Sequence, residues 1–198
     1  MAGGLGTRLG MGEKPMVTLL GRPLLEYVVR ALLDSVIDKI FVATTSNVPG
    51  TSAWAKDRGL RVIETQGLGY VTDMISAVLA LGIEKPLLFV MADLPLLTGQ
   101  LINEILDVYE NRPEPALSVH TPLSIHRMLG RKPPSLFNYE GQLIVPAGVN
   151  ILDGAIIQFE QEDYHLILDR VELAVNVNAP EDLVLCETLV KDSLKVMR

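Results

Sequence analysis

The chain opens MAGGLGTRLGMGEKP, Met1 to Pro15, and how this stretch is read decides the fold. Gly3, Gly4, Gly6 and Gly10 let the backbone pass close to a ligand, and Arg8 and Lys14 bring positive charge into the same run. Three phosphate-binding patterns compete for it. A P-loop needs Gly-Lys-Ser/Thr after its spacer, but here Gly12 is followed by Glu13 and Lys14 by Pro15. The dinucleotide fingerprint G-x-G-x-x-G fits Gly4 and Gly6, then meets Leu9 where it needs a third glycine. What remains is a loop whose backbone N–H groups, from Ala2, Gly3 and Gly4 through Gly6 and Thr7, can surround a triphosphate. Arg8 and Lys14 are then expected to supply what transfer at an α-phosphate needs, neutralising charge that develops on the phosphorus oxygens and on departing pyrophosphate.

Composition supports an ordinary folded domain. The 198 residues fit one domain with a three-layer core, and 48% hydrophobic against 21% charged residues suits strands buried on both faces. A formal charge of −7 opposes binding to nucleic acid or to an anionic membrane, so an anionic ligand must be held by a local basic cluster. Cys186 is the single cysteine and can form no internal disulfide. A reducing cytoplasm is the expected setting. No apolar run reaches the ~20 residues that span a bilayer.

Downstream, strand and helix patterns alternate. Helices are expected over 23–35, 71–81 and 98–110, and strands over 39–45, 61–65, 86–95, 116–120 and 143–152. ELAVNVN, Glu172 to Asn178, reads as the last strand, and Ala179-Pro180-Glu181-Asp182 opens a terminal helix. The alternation predicts a single α/β/α domain with a mostly parallel sheet, whose ligands gather at the carboxyl ends of the strands. Thr121 to Gln142 interrupts it with three prolines and no clear period, as a functional loop would. Asp93 follows the most apolar strand and is a natural oxygen ligand for Mg²⁺. Asn176 and Asn178 end the last strand, where one of them faces the site. Gly67, Gly69 and Tyr70 join a strand to a helix where backbone can approach a ribose or base. Asp73 either accepts from the nucleoside or serves the helix dipole. Gly148 and Asn150 lie on a strand suited to contacting an acceptor.

GGLGTRLG followed by EKP resembles the signature of nucleotidyltransferases that activate sugar phosphates and related acceptors with an NTP. The resemblance implies a Rossmann-like nucleotide-diphospho-sugar transferase fold. It gives triphosphate to the loop, transfer chemistry to Arg8 and Lys14, and metal binding to Asp93 with Asn176. The short length, GLGYVTDM and VNVNAPEDL are most similar to the archaeal GTP:adenosylcobinamide-phosphate guanylyltransferases. Those enzymes move GMP from GTP to a corrinoid phosphate and release pyrophosphate in cobalamin assembly. The expected partners are therefore GTP, Mg²⁺ and a corrinoid phosphate met by Gly148, Asn150 and Asn178, with a second copy of the chain as a candidate. The apolar 121–142 segment would cover the corrinoid, with Arg127, Arg131 or Lys132 meeting its phosphate. His120 and His126 are given no catalytic part, since an anionic acceptor oxygen needs no general base. A molybdenum-pterin or sugar-phosphate acceptor is the enzymatic alternative, and a catalytically silent nucleotide-binding subunit the non-enzymatic one. Similar proteins carry a short hydrophobic strand before the glycine loop, so Met1 is expected to be an internal methionine of such a strand.

Overall fold

The computed structural model describes residues 1–7 and 9–196, without the side chains of 192–196. After the loop and a short 3-10 turn, Lys14–Met16, come the small hairpin β1 (Thr18–Leu19) and β2 (Arg22–Pro23) and then α1 (Leu24–Leu33). β3 (Phe41–Thr45), α2 (Pro49–Asp57), β4 (Arg61–Thr65), α3 (Tyr70–Leu81), β5 (Pro86–Val90) and α4 (Gly99–Glu110) follow in strict alternation. The second half holds β6 (Ala116–Pro122), α5 (Leu123–Met128), β7 (Phe137–Tyr139), β8 (Gln142–Asp153), β9 (Asp163–Ile167), α6 (Val171–Ala174) and α7 (Pro180–Val196).

β3 pairs parallel with β4. A second group runs β5-β8-β6-β9, with β7 beside β8; β8 is antiparallel to β5, β6 and β7, and β9 is parallel to β6. Only β8 therefore opposes the common direction of this group. β5 shows the two-sided burial of a covered sheet. Val90 packs with Val28 of α1 and Ile102 and Ile105 of α4, and Phe89 packs on Met74 and Val78 of α3. The three-layer α/β/α domain is thus built by α1, α2 and α4 on one face and α3 on the other.

Met1 and Ala2 stitch the two groups together. Met1 N donates to Val90 O at 2.8 Å, Ala92 N donates to Met1 O at 3.1 Å, and Ala2 N donates to Ala43 O at 2.7 Å. These residues bond alternately left and right, as a central parallel strand does. Beyond them the facing edges of β3 and β5 share no ladder, and an apolar cavity of about 730 Å³ separates them, lined by Leu25, Val28, Ala77, Val78 and both strand edges.

Several stretches depart from the sequence reading. Residues 172–178 are not a strand: Val171–Ala174 is helical, and the extended Val175–Val177 makes one backbone bond toward the sheet, Val177 N to Asp93 O at 2.9 Å. Its alternation reflects burial, because Val175 and Val177 are fully enclosed with Leu9, Val17, Leu19 and Cys186. α2 and β9 add to the expected elements, their periods being too short to stand out. The 121–142 segment is ordered by α5 and the β7–β8 hairpin, and is anchored by a buried bond between Thr121 Oγ1 and His126 Nε2 at 2.8 Å.

Candidate active site

The glycine loop closes on itself before it can close on a ligand. Leu9 N and Gly10 N donate to Gly6 O at 2.9 and 3.2 Å, and Lys14 N donates to Gly4 O at 3.1 Å. Gly6 takes φ +58°, and a Cβ there would lie 3.0 Å from Gly12 O and 3.1 Å from Lys14 Cβ, so only glycine lets the loop wrap this tightly. Gly4 and Thr7 lie exposed on the outer surface of the turn, Gly3 is half-buried and Ala2 is buried. Arg8 lies outside the described residues.

Lys14 is aimed by its neighbour. Glu13 accepts from Gly50 N at 2.8 Å, Thr51 N at 2.6 Å and Thr51 Oγ1 at 2.7 Å, so its carboxylate caps the start of α2. Burial pushes the Glu13 pKa up, but the Thr51 hydroxyl and the two backbone donors outweigh it and hold the group below the ordinary value. With Glu13 fixed, Pro15 buried and the 3-10 turn formed, Lys14 Nζ donates to a carboxylate oxygen of Asp93 and to Asn178 Oδ1, the latter at 2.7 Å. Asp93 lies three residues past β5, at the carboxyl edge of the sheet, and is buried.

Asn178 is held there by its own support. Asn178 N and Ala179 N donate to Asp182 Oδ2 at 2.8 and 2.9 Å, and Asp182 is paired with Arg131 at 2.9 Å. Arg131 also donates to Ala174 O, to Asn176 O at 2.7 Å and to Asn176 Oδ1 at 3.0 Å. The chain that carries Asn178 to the site is therefore braced from the 121–142 segment. The Asn176 oxygen is turned to Arg131, so the structure brings Asn178 to Lys14 and Asp93. Arg131 is wholly engaged in this brace, leaving Arg127 and Lys132 as the exposed cations of the segment.

The second loop meets the first around Thr45. A Cβ at Gly3 would lie 2.8 Å from Thr45 Cγ2, and one at Gly67 would lie 3.5 Å from the same methyl. Gly67 (φ +74°) and Gly69 (φ +115°) lead into Tyr70 at the start of α3. Asp73 Oδ1 accepts from Gly67 N at 2.9 Å and Leu68 N at 3.3 Å, so this buried carboxylate shapes the loop from behind. Gly148 forms a bulge in β8. Its φ is +78°, its carbonyl accepts from Met91 N at 3.0 Å, and a Cβ would lie 2.8 Å from Met91 Cγ. Asn150 Nδ2 donates to Tyr70 Oη at 3.3 Å.

Two loops, the β5 edge and the 175–178 segment thus converge. Glu13, Thr45, Arg131 and Asp182 support the site without having been singled out for these contacts in the sequence, since their partners lie far along the chain. A Pro-Glu-Asp helix start was the one visible signal, for Asp182. Among the described residues no group of three or more His, Cys, Asp or Glu converges on a point. The protein oxygens on offer are the Asp93 carboxylate and the Asn178 amide, which fits an ion that completes its shell with phosphate oxygens and water.

Residues 1–140 match the family described as "MobA-like NTP transferase domain". The chain is 35% identical over 200 aligned residues to the adenosylcobinamide-phosphate guanylyltransferase of Methanocaldococcus jannaschii, covering 96% of this chain and 95% of that protein. Among solved structures, a hypothetical transferase from Thermus thermophilus superposes with a TM-score of 0.68 at 17% identity, over 92% of this chain and 96% of that one. A CMP:2-keto-3-deoxy-manno-octonic acid synthetase complexed with CTP gives 0.68 at 13% identity, over 92% and 93%. A nucleotidyl transferase from Methanothermobacter thermautotrophicus gives 0.67 at 15%, over 97% and 95%. These structural likenesses establish the fold.

Proposed function

Because the chain belongs to the MobA-like NTP transferase family, we propose that it moves GMP from GTP to adenosylcobinamide phosphate and releases pyrophosphate. The observation that carries this is the meeting of Lys14, Asp93 and Asn178 beneath the glycine loop. The full-length similarity to a guanylyltransferase of that name supports the nucleotide and the acceptor.

An oxygen of the acceptor phosphate attacks the α-phosphorus of GTP, the bond from that phosphorus to the α–β bridging oxygen breaks, and pyrophosphate departs. The acceptor oxygen is already anionic, so no proton has to be removed. The loop N–H groups from Ala2 to Thr7 hold the triphosphate, and Gly67, Gly69 and Tyr70 lie beside the nucleoside. Lys14 leaves Asp93 to meet the phosphate oxygens, where its charge offsets the charge passing to the leaving group. Arg8 is assigned the same task on the loop. Mg²⁺, with Asp93 and Asn178 as its protein oxygens, would supply charge neutralisation between the phosphates. Keeping Lys14 paired until a triphosphate arrives leaves no buried charge uncompensated.

The test is transfer of label from α-labelled GTP, with Mg²⁺, to adenosylcobinamide phosphate. Labelled corrinoid with one pyrophosphate released per transfer supports the reading. Transfer only to a molybdenum pterin or a sugar phosphate would replace the acceptor, and GTP binding without turnover on any acceptor would leave a silent nucleotide-binding subunit.

A further inference from the structure

A second constellation lies on the α3 side of the sheet, outside the transfer machinery. Register places Phe89, Asn150, Ser118 and His165 in one row across β5, β8, β6 and β9. Directly opposed residues share a face. Phe89 is covered by α3, whereas Asn150, Ser118 and His165 remain half-exposed. The buried His120 backs them, its ring 5.0 Å from that of His165 at 73°, and Tyr139 of the β7–β8 hairpin closes on His165 at 4.7 Å and 66°. Phe137, 54% exposed, stands at the rim 6.4 Å from His120.

The chemistry of this floor is polar and offers both donors and acceptors. His120 Nδ1 lies 3.1 Å from Ser118 O; a carbonyl only accepts, so Nδ1 carries the proton and Nε2 is left as an acceptor. Burial holds the His120 pKa below its ordinary value, which keeps the ring neutral at pH 7. His165 Nδ1 is buried 3.7 Å from Asp163 Oδ2, so the Nε2 edge is the part of this half-exposed ring left for a ligand. The nearby carboxylate is itself engaged, Ser118 Oγ donating to Asp163 Oδ2 at 2.5 Å. Asn150, Tyr70 and Tyr139 add amide and phenol groups along the floor.

The floor is also continuous with the transfer site. At one side Asn150 bonds to Tyr70, which follows the Gly67–Gly69 loop. Two residues before Asn150, the Gly148 bulge holds Met91, two residues from Asp93. The β6–β8 register shifts opposite the bulge, between Ser118 and His120, which lie two residues apart on β6.

We propose that Asn150, His165 and Tyr139, backed by the buried His120, form the cradle for the body of the acceptor, taking an amide-bearing ring system laid across the sheet while its phosphate reaches Lys14. Imidazole and phenol edges pack on a planar surface, and the amide and Nε2 groups meet carboxamides. The row carries no lysine or arginine for a phosphate, so the floor recognises the body and leaves the anion to the loop. This rests on the corrinoid reading above and adds to it the residues that set acceptor specificity.

The decisive measurement is steady-state transfer with GTP and adenosylcobinamide phosphate in the unaltered protein, His165→Ala and Tyr139→Ala, alongside GTP binding by calorimetry. Each variant is expected to raise the KM for the corrinoid tenfold or more. GTP affinity and kcat should stay within about twofold, a split that general destabilisation would not give. If His165→Ala fails to fold, Tyr139→Ala on the surface hairpin decides. Transfer by the unaltered protein with unchanged corrinoid KM in the variants would overturn the cradle alone. Absence of corrinoid transfer in the unaltered protein would overturn the acceptor reading and the cradle with it.

Discussion

At the scale of single residues, the site depends on one half-buried cation facing one buried carboxylate. Removing either leaves the other unpaired and takes away the charge that offsets the leaving pyrophosphate. Lys14→Ala and Asp93→Ala are each expected to lower kcat by roughly 10²–10³, as loss of one preorganised stabilising group does. Rapid-quench transfer assays with labelled GTP read this directly. Glu13 is a positioning residue, since its carboxylate grips α2 and not a substrate. Glu13→Gln keeps the shape, loses the charge and places an NH₂ group where an acceptor stood. It is expected to cost about 1 kcal/mol of stability, as loss of a helix cap does. The kcat should fall several-fold with little change in GTP affinity, and Glu13→Asp should recover part of it.

Among the elements, the segment from Ala174 to Asp182 shows how the transfer site is braced at a distance. Arg131 ties it to the 121–142 segment through Asp182, Ala174 and Asn176, and so fixes where Asn178 arrives. Between β3 and β5 the sheet lacks a ladder. Two strand edges face each other across about 730 Å³ of apolar space, linked at one end by Met1 and Ala2. Unpaired backbone groups and unfilled apolar volume both reduce stability. Five β-branched apolar residues added ahead of Met1 are expected to enter this gap as a parallel strand. Burying even two such side chains contributes roughly 3 kcal/mol, which corresponds to about 10 °C in a domain this size. Thermal melting compares that chain with one bearing proline at the centre of the addition, which cannot donate to a ladder. Equal melting temperatures would show that no strand forms.

For the whole molecule, pH acts through a histidine outside the transfer chemistry. His126 is buried against Thr121, and burial first, then the Arg131 charge, lowers its pKa to about 4 from the usual 6.5. In the unfolded chain it takes a proton near 6.5, so the unfolded state binds more protons throughout the interval from 6.5 down to 4. The contribution of His126 is therefore full above pH 6.5 and falls as pH drops toward 4, by roughly 3 kcal/mol across the window. Urea unfolding at pH 7 and pH 5 measures it, and His126→Asn should flatten that part of the profile. The negative charge of the chain as a whole fits the same economy: cations are concentrated where an anion must be held.

Much of this was legible in the linear sequence, because local rules govern it. Glycine spacing fixed the loop, apolar periodicity found most helices and strands, and a strand ending in Asp93 marked the carboxyl edge. Long-range pairing decided the remainder. The alternation in 172–178 was real yet reported burial, and only packing showed that Val175 and Val177 enter a core without joining a ladder. The choice of Asn178 over Asn176 at Lys14 came from Arg131, which lies 45 residues before Asn176 and takes its oxygen. Glu13 and Asp73 carry charges that look available to a ligand, and their bonds to backbone N–H groups appear only once the chain is folded. Sequence by itself determined which chemistry the chain could hold, since residue type and spacing set that locally; tertiary structure decided which oxygen faces which nitrogen, since those partners meet only through the fold.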